Sequence, residues 1–199
     1  TNGFRRIDRY KNELLNLKEQ YGEKLQLRIS LDHHSLTVHE KERGKRTFEP
    51  TLNMAKWLFD QDFRLSIAGR AVEAESEGEA LRGYQSLLKA HRIGLNVDSS
   101  EHLVIFPEMN LDSDVPEITV DCWDTLGKRP EQQMCASERM IVRRKGQNQP
   151  IVLPCTLLAY DPQFDLGPTL ESAAKSVQLN HKFCAQFCVL GGASCSSTA

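Results

Sequence analysis

The chain has 199 residues, of which 40% are hydrophobic and 26% charged, which suits one or two globular domains that can build a core. Its formal net charge of -2 gives no broad electrostatic basis for binding nucleic acid or an anionic membrane. No apolar run approaches the roughly 18 residues of a membrane helix, and the charged opening segment lacks a signal-peptide pattern. We therefore expect a cytoplasmic protein without nucleic-acid or membrane partners.

Apolar residues recur along the first half of the chain at helical and strand spacing in turn. Steps of three and four residues predict a helix over 4–22 that ends at Gly22, and strict alternation predicts a strand over 25–32. The next predicted elements are a helix, a strand, a helix and a strand, over 50–61, 63–70, 77–94 and 102–108. This rhythm favours an α/β fold with a parallel sheet and helical crossovers.

The first two predicted strands each keep one polar face. Its positions are Gln26, Arg28, Ser30, Asp32, Arg64, Ser66 and Arg70. Parallel strands buried on both faces usually read as continuous apolar runs, whereas a polar face suits a barrel lumen that holds a polar ligand. The pattern predicts part of a (β/α) barrel with its site at the carboxyl ends of the strands. An open doubly wound sheet with an edge strand fits the pattern about equally well.

The rhythm breaks after Glu108. Residues 109–132 read as a linker, "RMIVRRKGQNQPIVLPCTLLAYD" predicts a β-hairpin around a Gly/Asn/Pro turn, and "GPTLESAAKSVQ" predicts a short capped helix. We therefore predict two domains, a partial barrel of parallel strands over 1–110 and a small cysteine-rich α+β domain over 111–199.

All six cysteines lie in the second half: Cys122, Cys135, Cys155, Cys184, Cys188 and Cys195. A cytosolic compartment keeps thiols reduced, so clustered cysteines there bind metal or carry out redox chemistry more often than they form disulfides. The role of a small buried apolar residue suits Cys122. It suits the three terminal cysteines poorly, because they lie within a dozen residues of one another.

Several segments of the first half, in this order, resemble the radical S-adenosylmethionine enzymes. The opening "TNG" is similar to the end of that family's third barrel strand, and "ISLDHHSLTVHEKERG" to its fourth strand and loop. "LSIAGR" looks like part of the next βα unit, and "LVIFPEM" like the sixth strand, so the resemblance covers roughly 1–109. It implies that Ser30 and Asp32 contact the ribose or methionine part of S-adenosyl-L-methionine, with Arg43 in a nearby loop. Arg70 has the lumen-facing parity and can pair with a carboxylate of cofactor or substrate.

The second half is similar to the auxiliary-cluster domains, called SPASM or twitch, that follow the barrel in many of these enzymes. Those domains carry a cysteine, a hairpin with a glycine, a second cysteine, a Leu-Gly before a helix, and closely spaced cysteines with glycines. The matching order here is Cys135, Gly146, Cys155, "DLGPTLESA", Cys184, Cys188, Gly191-Gly192 and Cys195. Two departures are a longer gap from Gly146 to Cys155 and a C-x-x-x-C in place of C-x-x-C. The resemblance implies one auxiliary 4Fe–4S cluster.

A 4Fe–4S cluster needs thiolates that converge from several directions. The two ends of the predicted hairpin supply Cys135 and Cys155, and the Gly-rich loop supplies Cys188 and Cys195, with Cys184 as a fifth candidate. Zinc can use the same thiols, and cysteine count separates the two metals poorly. The number of candidates and the hairpin arrangement favour iron–sulfur, and zinc stays open.

The resemblance implies an oxidoreductase or modifying enzyme in which a 5′-deoxyadenosyl radical abstracts hydrogen from an unknown substrate, a peptide or a small molecule. A ferredoxin or flavodoxin would donate the electron. The family's C-x-x-x-C-x-x-C motif does not occur in this sequence, so we expect a fragment that is inactive alone, and no catalytic residue is assigned. The alternative is a non-catalytic zinc- or iron–sulfur-binding module that acts in electron transfer or assembly.

Three histidines, His33, His34 and His39, follow the first predicted strand. A ligand pair on a helix needs i, i+4 spacing, and adjacent histidines point apart. We therefore expect these imidazoles to contact substrate or support neighbouring residues rather than bind a metal.

Overall fold

The computed structural model describes residues 1–4 and 6–191, in two compact units, Thr1–Glu108 and Met109–Ala199. The first unit holds a sheet of three parallel strands and the second a sheet of two antiparallel strands. The predicted mixed α/β class is therefore confirmed, while the described strands do not close into a barrel. Among the described residues, no helix combines the length and the apolar character needed to cross a membrane.

The first unit alternates helices with strands. Its regular elements are α1 (Lys11–Tyr21), β1 (Gln26–Ser30), α2 (Leu36–Arg43), α3 (Phe48–Asp60), β2 (Arg64–Arg70), α4 (Glu77–Ala90) and β3 (Leu103–Phe106). Short 3-10 turns at Ile7–Tyr10 and Gly22–Lys24 flank α1. A capping box between Ser76 and Glu79 fixes the start of α4.

The strands of the first sheet lie in chain order, β1-β2-β3. The parallel register aligns Ile29 with Ile67 and Ile67 with Leu103. The outer side of β1 is also paired, because the Thr1 amine donates to the Arg28 carbonyl and the Ser30 N–H donates to the Thr1 carbonyl, both at 2.8 Å. This is the hydrogen-bond pattern of a parallel neighbour, so the backbone at Thr1 extends the sheet beyond β1.

The two faces of this sheet differ in polarity, as the alternation predicted. One face packs with α3 and α4 in a core that includes Ile29, Leu65, Ile67, Leu103, Leu52, Leu58, Tyr84 and Leu88. On the opposite face the Arg28 Nε donates to the Ser66 hydroxyl at 3.1 Å across β1 and β2. Because Ser66 has no exposed surface, this hydrogen bond offsets the cost of burying its hydroxyl.

The second unit has little regular structure. Its elements are α5 (Asp121–Leu126), α6 (Met134–Ser137), β4 (Met140–Val142), β5 (Ile151–Leu153), 3-10 turns at Pro130–Gln132 and Pro162–Phe164, and a π-helix over Cys184–Val189. The antiparallel pair β4–β5 is the predicted hairpin. Among the described residues its apolar interior includes one cluster around Val152, Leu166 and Ala173 and another around Leu158, Phe164 and Cys184.

The predicted helix over 167–178 is wrong, because this segment forms only turns. A single side chain takes the backbone acceptors that a helix would use: the Arg139 guanidinium donates to the carbonyls of Ala173 at 2.9 Å and Lys175 at 3.1 Å. Thr169 and Ser172 also hydrogen-bond each other locally, an alternative to helical bonding that such residues favour.

Candidate functional site

The carboxyl ends of β1 and β2 bring together three of the four predicted cofactor residues. Asp32, just after β1, is buried, and Arg43 in the last turn of α2 donates Nε and Nη2 to its two carboxylate oxygens at 2.7 Å. Arg70, the last residue of β2, donates its backbone N–H to the Asp32 carbonyl at 2.7 Å and has its Nε 3.6 Å from Oδ2. Ser30 ends β1 on the polar face, with its N–H bonded to Thr1.

At this edge of the sheet the Asp32 carboxylate is already paired with arginine, so the groups left for a ligand are guanidinium hydrogen-bond donors. The bidentate contact of Arg43 compensates the buried charge of Asp32. The side chains of Arg43 and Arg70 are 33% and 57% exposed, and a guanidinium carries five N–H groups. Arg70 Nη1 also lies 3.6 Å from a Glu42 carboxylate oxygen, and the guanidinium N–H groups not used on Asp32 or Glu42 can donate to an anionic or hydroxyl-bearing ligand at this edge of the sheet.

A second polar group lies at the same edge. His33 and His34 follow Asp32, and their Nε2 atoms contact the two oxygens of Glu75, at 3.0 Å and 2.7 Å. Glu75 lies in the loop between β2 and α4. The expectation that adjacent histidines point apart is wrong here, because the two rings lie side by side with centroids 4.1 Å apart.

Burial and mutual contacts shift the protonation of this group. Burial lowers the pKa of His33, helped by the neighbouring His34 and opposed by Glu75. Burial alone would raise the pKa of Glu75, but the hydrogen bonds from both histidines outweigh it, so the pKa is lowered. Burial also lowers the pKa of His39, whose Nδ1 accepts the backbone N–H of Asp32 at 3.1 Å. Near neutral pH the structure thus holds an ionised Glu75 carboxylate beside a neutral His33 imidazole.

Four of the five predicted metal-binding cysteines line one apolar cavity in the second unit: Cys135, Cys155, Cys184 and Cys188. The other lining residues are Met134, Pro154, Leu157, Leu158, Phe164, Val177, Leu179 and Phe183. The described cysteines form no disulfides. The fifth candidate, Cys195, lies outside the described residues, and Cys122 in α5 is not among the cavity's lining residues.

Burial favours the protonated form of three of the cavity's thiols. Burial raises the pKa of Cys135 and of Cys155, and raises that of Cys184 to about 11, with the neighbouring Cys155 and Cys135 thiols adding to the shift. A bound cation would reverse this effect, because thiols are deprotonated when they coordinate a metal.

A π-helix supplies two of the four thiols. Cys184 begins it and Cys188 follows four residues later, so the C-x-x-x-C spacing places both within a single turn. The π-helix ends at Val189, and at Gly191, two residues further on, a Cβ atom would come 2.1 Å from the Gln186 carbonyl oxygen. Only glycine fits this close backbone approach. Single π-turns occur often at functional sites.

Zinc and an iron–sulfur cluster place different demands on the positions of these sulfurs. In the described part of the chain no three cysteine sulfurs lie within 4.8 Å of one another. A tetrahedral zinc ion with Zn–S bonds of about 2.3 Å needs sulfurs about 3.8 Å apart, whereas a cubane spreads its four thiolates more widely. Four cysteine thiols around one apolar cavity are a donor set that a cluster can use. The free space is only about 20 Å³, enough for one water, so the apolar walls would have to move outward.

A larger groove adjoins this cavity. It has a volume of about 680 Å³ and shares Cys135, Val177 and Leu179 with the cavity, while Trp123 lines its other side. This volume lies within the range of small-molecule sites. One thiol of the cavity therefore also lines a space that a ligand can enter.

Comparison with protein-family models, curated proteins and solved structures gives no match for this chain. The sequence had indicated the four cysteines and Asp32, Arg43 and Arg70. It gave no sign of Glu75 as the partner of His33 and His34, because an isolated glutamate about 40 residues downstream has no pattern that links it to them.

Proposed function

We propose that the second unit is an auxiliary iron–sulfur domain of a radical S-adenosylmethionine oxidoreductase or modifying enzyme. The observation that carries this proposal is the meeting of four thiols, from α6, the end of the hairpin and the π-helix, on one apolar cavity. Cys135, Cys155, Cys184 and Cys188 would hold one 4Fe–4S cluster. When bound, such a cluster supplies one-electron chemistry or an iron site for a ligand.

The four cysteine thiols and the apolar wall around them support a cluster. Burial in apolar surroundings and hydrogen bonds to the sulfurs set the potential of a cluster. Here Lys128 Nζ donates to the Val189 carbonyl at 2.7 Å, at the end of the π-helix. A cation placed there stabilises the negative end of that turn and would lower the electrostatic cost of thiolates nearby.

The first unit supports the same proposal through its sheet. Parallel strands in chain order, with helices α3 and α4 packed on one face and a polar opposite face, are what part of a (β/α) barrel requires. The parallel pairing of Thr1 beside β1 agrees with "TNG" as the end of a preceding strand. We propose a partial barrel on these grounds.

Three residues at the strand ends fit the polar parts of S-adenosyl-L-methionine. Arg43 and Arg70 present N–H donors suited to its carboxylate or ribose hydroxyls, and Asp32 holds both guanidinium groups in place. Ser30, on the same polar face, would add a hydroxyl. The cofactor supplies the radical when a first cluster reduces it, and this sequence has no C-x-x-x-C-x-x-C motif for that cluster. The role proposed for these residues is therefore binding and orientation.

The substrate would be a peptide or a small molecule, and a ferredoxin or flavodoxin would be the electron donor. The low net charge and reduced thiols agree with a cytoplasmic setting.

Anaerobic reconstitution of the chain with iron and sulfide tests the cluster. We expect a brown protein that absorbs near roughly 400 nm and holds about four irons per chain. Serine replacement of Cys135, Cys155, Cys184 or Cys188 should each lower the iron content, while Cys122→Ser serves as the matched control and retains it. A colourless protein with one tightly bound zinc, or iron lost with Cys122→Ser but not with Cys155→Ser, contradicts the proposal.

A second candidate is a non-catalytic electron-transfer or assembly module. The observation that favours it is that every lining residue of the four-cysteine cavity belongs to the second unit. Equilibrium binding of S-adenosyl-L-methionine to the reconstituted chain separates the two. The first proposal expects binding that Arg43→Lys weakens, because lysine cannot make the bidentate contact with Asp32. The second expects a full cluster and no binding.

A further inference from the structure

The polar group of His33, His34 and Glu75 has a proton arrangement that follows from its contacts. Glu75 is ionised near neutral pH because its pKa is lowered, and an ionised carboxylate only accepts hydrogen bonds. Each Nε2 that contacts it, at 3.0 Å from His33 and 2.7 Å from His34, therefore carries a proton and donates it. In a neutral imidazole the other nitrogen, Nδ1, then holds a lone pair.

The two histidines differ in what their Nδ1 atoms meet. The lone pair of His33 Nδ1 accepts the backbone N–H of Ser35 at 2.9 Å, so that ring is satisfied on both sides. No donor among the described residues hydrogen-bonds to Nδ1 of His34. Its side chain is 22% exposed, whereas that of His33 is 5% exposed. Of the two histidines, His34 therefore has a ring nitrogen, Nδ1, whose lone pair is unused, and its side chain is partly exposed to solvent.

The surroundings of His34 are shaped to hold this ring. Gly83 lies inside α4, where glycine weakens a helix, and a Cβ there would come 2.3 Å from His34 Nε2 and 2.4 Å from two ring carbons. The Tyr84 ring meets His34 edge-on at 5.7 Å, and its hydroxyl donates to the Leu31 carbonyl at 2.8 Å. Gly83 lies against a face of the ring and Glu75 meets its Nε2 edge, which leaves the Nδ1 edge for a ligand.

We propose that His34 is a proton-accepting site at the carboxyl end of the parallel sheet, oriented by Glu75, for a ligand with an acidic O–H or N–H group. In the step, the bond from hydrogen to the ligand's oxygen or nitrogen breaks, and the proton joins the lone pair of His34 Nδ1. The ligand keeps the electron pair as an anion, and the ring becomes an imidazolium. Glu75 stabilises that cation through the Nε2–H bond. The arrangement is independent of the cysteine cavity.

The charged and titratable neighbours that face His34 are few. Glu75 supplies the negative charge and His33 is a neutral donor to the same carboxylate. The pKa of Tyr84 is raised by burial and by Asp32 and Glu75, so its hydroxyl stays protonated. Glu75 is therefore the group whose charge should control proton uptake by His34.

A metal ion is the competing use of the same three side chains, whose donor atoms lie within 4.8 Å of one another. A metal on both Nε2 atoms would have to displace both protons. It would also move a proton onto His33 Nδ1, which then faces the Ser35 N–H donor. Metal-binding histidines usually do the opposite and donate their second N–H to an acceptor. The contacts therefore favour the proton site.

The test is nuclear magnetic resonance of the full chain labelled with ¹⁵N-histidine. In the wild type we expect His34 to keep its Nε2–H through the titration and to take up its second proton at Nδ1. Fully buried His39 is the internal control and should not titrate in parallel. Glu75→Gln should raise the acid dissociation constant of His34 at least tenfold, which is about one pKa unit for loss of an adjacent charge. Glu79→Gln, a capping-box carboxylate on α4, is the matched control and should leave it unchanged.

Three results would overturn the proposal: a wild-type His34 with its proton on Nδ1 at high pH, a His34 that does not titrate, or a dissociation constant that Glu75→Gln leaves unchanged. The first two need no variant, so they decide even if Glu75→Gln does not fold. One equivalent of Mn²⁺, which prefers oxygen and nitrogen ligands, distinguishes the metal site. Broadening confined to His33 and His34, lost in Glu75→Gln, would assign a cation there instead.

Discussion

Two alanine substitutions in α4 should change stability in opposite directions. Gly78 and Gly83 both lie in this helix, and alanine gains about 1 kcal/mol over glycine in a helix interior. At Gly78 the nearest atom to a new Cβ is the end of the Arg82 side chain, at 3.4 Å, which can move away. Gly78→Ala should therefore stabilise the first unit by about 0.5–1 kcal/mol.

At Gly83 the same change forces the His34 ring away, because the new Cβ would lie 2.3 Å from its Nε2. Loss of a hydrogen bond to a charged group costs about 1.5–3 kcal/mol. After the helical gain of about 1 kcal/mol, Gly83→Ala should destabilise by about 0.5–2 kcal/mol.

Urea unfolding followed by tryptophan fluorescence measures both effects. The chain has two tryptophans, so a Trp123→Phe background leaves Trp57 in α3 as the reporter of the first unit. Equal slopes with separated midpoints would place the effect in stability rather than in the unfolded ensemble. If Gly83→Ala stabilises as much as Gly78→Ala, the ring does not lie against the helix as described, and the reasoning fails.

Three further outcomes follow from the burial of titratable groups. Arg43→Ala should destabilise the first unit by about 2–3 kcal/mol because it removes the main ion-pair partner of the buried Asp32 carboxylate. Arg70 is more exposed and farther from that carboxylate, so Arg70→Ala should cost at most about 1 kcal/mol. Equal losses of stability in urea unfolding would contradict this. Cys184, with a pKa of about 11, should react with iodoacetamide at pH 8 far more slowly in the folded chain than in urea, and equal rates by mass spectrometry would refute its burial. Because His33 and His39 have lowered pKa values in the folded chain, they become protonated in the unfolded chain first as the pH falls. The free energy of unfolding should therefore be at its full value above about pH 7 and decrease below about pH 6.5, by at most about 1.4 kcal/mol per pH unit for each histidine. A urea midpoint that rises on acidification would contradict this.

The sequence was informative where a periodic pattern and burial agree. Alternation located β1 and β2 to within two residues, and the hairpin followed from two apolar runs around a turn. The cysteines could be chosen because thiols are few and their order is readable. The resemblance implies a loop where α2 forms, and Gly44 ends that helix with a φ of 95°. Its eight residues have few apolar positions, so periodicity could not reveal it.

Contacts between distant side chains could not be read in the same way. The meeting of Glu75 with His33 and His34 depends on how the loop after β2 returns to the end of β1. The failed helix at 167–178 depends on Arg139, a residue about 30 positions upstream that binds carbonyls there. Local propensity describes neither effect, since both are tertiary contacts.

The π-helix that carries Cys184 and Cys188 has one more residue per hydrogen-bonded ring than an α-helix, as the Leu190 N–H to Ala185 carbonyl bond of 2.9 Å illustrates. The distance between the Cys184 and Cys188 sulfurs therefore depends on how many residues separate them rather than on which residues these are. Deleting one residue from this turn would change its hydrogen-bond pattern and move one of the two sulfurs away from the other cysteines of the cavity. Insertions and deletions should thus be far more damaging at 185–187 than conservative exchanges of Ala185 or Gln186.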